Sequence, residues 1–171
     1  MQNLFNSTAE DQTKEIAISP DQLLEAWQGH RRLTRRVIDA FPELDLLTFS
    51  LGRMRPFSRL ATEMIDMVVP TLNGLISGEW EEVETEKDEQ DYVKTKADLL
   101  QLWDDTTAAI DILWAQIPPH RFQEIELAFE TFDGPLYSVL QYVIDNEIHH
   151  RGQGYVYLRV LGIDPPFFGE R

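Results

Sequence analysis

The chain has 171 residues, 30 acidic against 15 lysine and arginine side chains for a formal charge of −15, 43% hydrophobic residues and no cysteine. That composition allows one domain with a full apolar core, excludes disulfides, thiolate metal sites and a cysteine nucleophile, and speaks against a duplex nucleic-acid surface, whose affinity comes from basic residues on phosphates. No apolar run approaches the ~20 residues of a membrane span and the start lacks a signal-peptide pattern, so the expectation is a soluble cytoplasmic protein with neither nucleic acid nor membrane as partner.

Residues 1–18 are polar and aperiodic and read as a flexible N-terminal arm, leaving 19–171 as a single domain. Ser19 and Pro20 then supply a cap and a first-turn proline for a helix over 20–40, with Leu23, Trp27, His30, Thr34 and Val37 in register. His30 falls in the buried stripe, where a core histidine satisfied by a hydrogen bond is the expected role, since no second ligand lies one turn away. Arg31, Arg32, Arg35 and Arg36 form the best basic cluster and read as a solvated face paired with acids.

After a connection over 43–55, a second helix is expected over 57–77, with Leu60, Met64, Val68, Leu72 and Leu75 facing inward and a kink at Pro70. Residues 79–91, EWEEVETEKDEQD, read as a solvated acidic linker, because the spacing of a calcium loop is missing. A third helix follows over 94–117, closed by Pro118 and Pro119; His120 to Phe132 is expected to hold a short helical turn and a return loop. No stretch shows strand alternation.

The final helix, 135–162, carries the most specific signal. Tyr142, Asn146, His150, Gln153 and Tyr157 fall in one stripe about 80° wide, while Leu140, Ile144, Ile148, Tyr155 and Leu158 form an opposite apolar face. Gly152 and Gly154 are costly inside a helix and predict a close neighbour. The run HHRGQ over 149–153, followed by YLR and a GIDPP exit, resembles the last helix of the DinB family. The resemblance implies an all-α antiparallel four-helix bundle and one divalent ion, zinc, nickel, manganese or iron, held on three histidines.

In the family the last helix reads HxxHH, and its first and last histidines bind the ion. Those positions here are Asn146 and His150, and Glu63 stands nearest to the third ligand, so the metal set implied is Glu63, Asn146 and His150. Residues four apart on a helix project side by side and can meet one ion, but a neutral amide is a poor ligand. The same residues also make a hydrogen-bonded polar seam that fixes helix register, or a pocket for an organic ligand. His149, about 100° from His150, takes a supporting or packing role, and Arg151 and Arg159 are expected to anchor acids on a neighbouring helix or chain.

Two functions follow. One is a metal-dependent transferase or hydrolase acting on a small-molecule substrate, with a thiol as cosubstrate. The other is a non-catalytic bundle with a degenerate metal site, acting as a structural or small-ligand-binding protein. The two-sided final helix adds an expected homodimer through its second apolar face.

Overall fold

Ser19 accepts a hydrogen bond from the Gln22 backbone N–H at 3.2 Å while the Gln22 side chain accepts from the Ser19 N–H at 2.9 Å. This reciprocal cap starts α1, Pro20–Ala40. In the computed structural model, which describes residues 17–80 and 93–171, there follow α2 (Glu43–Thr48), α3 (Phe57–Asp66), α4 (Val68–Ser77), α5 (Lys96–Trp114), a 3-10 turn (Pro119–Gln123), strands β1 (Ile125–Ala128) and β2 (Phe132–Pro135), and α6 (Leu136–Val160). The chain is therefore mostly helical. The expected arm and acidic linker lie, for all but their edges, outside the described residues.

The second helix is interrupted as expected, at Met67, so that Pro70 falls in the first turn of α4, where a missing N–H costs nothing. Gly78, at φ +78°, ends α4 in the left-handed conformation.

The expectation of helices and loops alone is corrected. The described residues hold six α-helical segments rather than four, since α2 forms in the expected connection, and β1 and β2 make an antiparallel hairpin. The hairpin escapes sequence inspection for two reasons. Its turn places Phe129 and Glu130 at φ 50° and 53°, without the glycine or asparagine that usually marks such positions. Its alternation is also inverted, with Ile125 and Leu127 exposed while Glu126 accepts from the Trp80 indole N–H at 3.2 Å and from Arg121. Arg121 donates as well to the Leu75 carbonyl at 2.8 Å and the Gly74 carbonyl at 3.1 Å, tying the hairpin to the end of α4.

Helices α1, α3, α4, α5 and α6 pack on one another around two apolar clusters. One gathers Trp27, Leu72, Leu75, Ile110, Trp114, Leu140 and Ile144; the other gathers Val37, Phe41, Phe57, Leu60, Trp103, Tyr157 and Leu158. Along α1 and α6 the residues between them are polar: His30, Arg31 and Thr34 on one, Glu147, His150 and Arg151 on the other, all buried. A polar layer thus crosses the middle of the core.

Both faces of α6 find most of their cover within the chain. Leu140, Ile144 and Leu158 are buried, as are His150 and Tyr157, while Ile148 on the apolar face and Tyr142 on the other stay exposed. Gly154 has its close neighbour, since a Cβ there would lie 2.5 Å from the Phe57 ring, whereas nothing among the described residues comes within 4 Å of a Cβ at Gly152. No helix among the described residues is long and apolar enough to cross a membrane.

Candidate functional site

Helix α3 and helix α6 meet through one carboxylate. Glu63 Oε1 accepts from His150 Nε2 at 2.9 Å and from Asn146 Nδ2 at 3.1 Å, and Glu63 Oε2 accepts from Arg55 in the loop before α3. The Tyr157 hydroxyl donates to the Arg55 carbonyl at 2.9 Å and so holds that loop against α6. The four residues therefore share one cluster, including the three implied as ligands; Arg55 is the member that sequence inspection left without a role. Its signal was faint, since an arginine just before a helix has many uses.

Burial opposes ionisation of Glu63, but hydrogen bonds from Arg55, Asn146 and His150 outweigh it and hold the carboxyl down at about 2. It is a carboxylate at any ordinary pH. On the far side of His150, the Gln153 amide lies 3.1 Å from both His150 Nδ1 and His149 Nε2. Whichever way round the amide sits, it donates to one ring and accepts from the other. The result is a chain of hydrogen bonds from Glu63 through His150 and Gln153 to His149, which is exposed. His149 thus supports the cluster from outside. Asn146 Oδ1 is buried with no hydrogen-bond partner among the described residues.

The other half of the polar layer is a cluster around Glu147. Its Oε1 accepts from the Thr34 hydroxyl at 2.6 Å, Arg151 Nη1 lies 3.6 Å away, and Arg31 Nη1 lies 3.8 Å from Oε2. Arg151 also donates to Thr34 Oγ1 at 3.0 Å and to His30 Nδ1 at 2.9 Å. His30 is thus the hydrogen-bonded core histidine expected, and burial, with the Arg151 and Arg171 cations, lowers it to about 4. Burial pushes the Glu147 carboxyl up, against the pull of Arg31, Thr34 and Arg151.

Arg31 departs from the expected solvated face. It is fully buried, lies 3.4 Å from the centre of the Trp103 ring and donates to Thr107 Oγ1 at 3.0 Å. Arg32, Arg35 and Arg36 do pair with acids, Glu25, Asp104 and Glu170. Arg151 acts on α1 and on Glu147 of its own helix rather than on an acid of a neighbouring one. Glu147 itself was overlooked, although an acid sharing the face of Leu140, Arg151 and Leu158 is a readable sign of a buried ion pair.

Among the described residues there is no group of three histidine, cysteine, aspartate or glutamate side chains placed to hold an ion. The sequence profile of the DinB family matches residues 6–171. The chain belongs to the DinB family. Two solved DinB-like proteins share its fold at 18% identity and a TM-score of 0.68. For one from Bacillus cereus the match covers 86% of this chain and 95% of the other; for one from Bacillus subtilis it covers 88% and 99%. No curated protein matches the sequence. The Glu63 cluster brings together the three residues that the family resemblance implied as ligands.

Proposed function

We propose that this DinB-family protein binds a small anionic ligand, a carboxylate or thiolate compound, at the Glu63 cluster without a resident metal ion. The reading treats α3 and α4 as one interrupted helix, so that four long helical segments form an antiparallel bundle around the polar layer. The observation that carries it is the Arg55 guanidinium on Glu63. A divalent ion on that carboxylate would sit within a few ångströms of a fixed positive charge, a repulsion felt strongly near a protein interior. The donor set adds to the misfit: one imidazole, one carboxylate already neutralised, and an amide whose NH2 is turned to Glu63.

The same features suit an anion. Among the described residues only Nη2 of Arg55 is engaged, and its side chain is 47% exposed, so the remaining N–H groups are open to a ligand carboxylate or thiolate.

The competing reading is a divalent-metal-dependent transferase or hydrolase. The buried Asn146 Oδ1, an acceptor without a partner among the described residues, favours it. Titration calorimetry with mercaptoacetate as probe tests the preferred reading. Binding that falls about tenfold or more in Arg55→Ala supports it; no binding, or equal binding by both proteins, rejects it.

A further inference from the structure

We propose that two copies of this chain pair through the solvent face of α6, antiparallel, with a twofold axis at Gly152. This face adjoins the apolar face of the helix and includes Ile148, the member of that face left exposed. It consists of Gln141, Asp145, Ile148, Gly152, Val156 and Arg159, all exposed.

Four observations point to a second copy as its occupant. First, nothing among the described residues lies within 4 Å of a Cβ placed at Gly152, so no packing among them explains a glycine at mid-helix. A missing side chain there lets another helix approach closely. Second, the charges are self-complementary about that glycine. Asp145 lies seven residues before it and Arg159 seven after, each within about 20° of its direction around the helix. An antiparallel twofold pairing therefore sets Asp145 of each copy across from Arg159 of the other. A seven-residue repeat stays aligned when two helices cross at about 20°.

Third, the neighbours along the seam are apolar. Ile148 is 38% exposed and Val156 is 47% exposed. The pairing brings Ile148 beside Tyr155 of the second copy, and Val156 beside His149. Fourth, Arg159 has no acid partner in its own chain among the described residues. It reaches only the Tyr155 carbonyl at 3.5 Å and the Tyr155 ring, 5.7 Å from the centroid. Among the described residues the Asp145 side chain accepts a hydrogen bond from Gln141 Nε2 at 2.9 Å, a surface contact that an arginine displaces readily. An isologous contact requires that one patch carry both halves of every pair, and this helix face does.

Sedimentation equilibrium over a range of concentrations tests the pairing on the full chain. The wild type is expected to reach twice 19.9 kDa. Gly152→Leu and Arg159→Asp are each expected to weaken the dimer about tenfold or more while leaving helical circular dichroism unchanged. Asp145→Arg combined with Arg159→Asp restores the charge pairs with their signs exchanged and is expected to recover the dimer. A wild type that stays at 19.9 kDa overturns the proposal, as does a dimer indifferent to Gly152→Leu, or a double variant no better than Arg159→Asp alone.

Discussion

His150 Nε2 lies 2.9 Å from Glu63 Oε1 across 87 residues of chain, and this contact joins α6 to α3 in the polar layer of the core. Both ring nitrogens of His150 are engaged, so truncation removes one partner each from Glu63, which keeps Asn146 and Arg55, and from the Gln153 amide, which keeps His149. His150→Ala is expected to cost about 1 to 3 kcal/mol in urea denaturation, from buried polar groups losing their partners. Unchanged stability would show that the contact does not hold the helices.

The two glycines of α6 should respond in opposite directions. Gly154→Ala drives a Cβ to 2.5 Å from the buried Phe57 ring and is expected to destabilise by about 1 to 3 kcal/mol. Gly152→Ala meets nothing among the described residues and gains helix propensity, so a monomer is expected to gain up to about 1 kcal/mol. Thermal melts at a concentration low enough to exclude pairing measure both.

Glu147 balances two cations, Arg31 and Arg151, in a fully enclosed setting. Removing one partner of a buried ion pair leaves an uncompensated charge, so Glu147→Ala is expected to lose about 3 to 5 kcal/mol. Glu147→Leu combined with Arg31→Met should recover part of that loss. Equal instability of single and double variants would contradict the account of this cluster.

Acid should weaken the fold in two stages. His30 is lowered from 6.5 to about 4 in the fold, so the unfolded chain takes up its proton first as pH falls. Stability is full above 6.5 and declines towards 4. Glu63 is depressed from 4.5 to about 2, so its contribution is present above 4.5 and is lost as pH falls towards 2. His30→Gln should flatten the upper stage and Glu63→Gln the lower one, as read from denaturation midpoints across pH.

Helices α1, α5 and α6 and the interrupted stretch of α3 and α4 were legible because their apolar residues repeat at helical spacing and their ends carry plain signals, such as Ser19 with Pro20 and the left-handed Gly162. The meeting of Glu63 with Asn146 and His150 was legible through the family pattern. The hairpin was not, because Phe129 and Glu130 hide its turn and Glu126 reverses its alternation. The roles of Arg31 and Arg55 were hidden for a related reason. Arg31 sits in a run of cations that looks solvated, and its burial depends on Glu147 and Trp103, which only the fold brings near. The roles of Arg55 and Arg31 are set by tertiary partners rather than by local pattern.

The central claim is that Arg55 and Asn146 together turn the ion site expected of the family into one for a small anion. Metal uptake measures it most directly: tag-free protein and the Arg55→Ala, Asn146→His variant are dialysed against Zn²⁺, Ni²⁺ or Mn²⁺ and their bound metal is determined by mass spectrometry. The account predicts background metal in the wild type and close to one ion per chain in the variant. Stoichiometric metal in the wild type would contradict it.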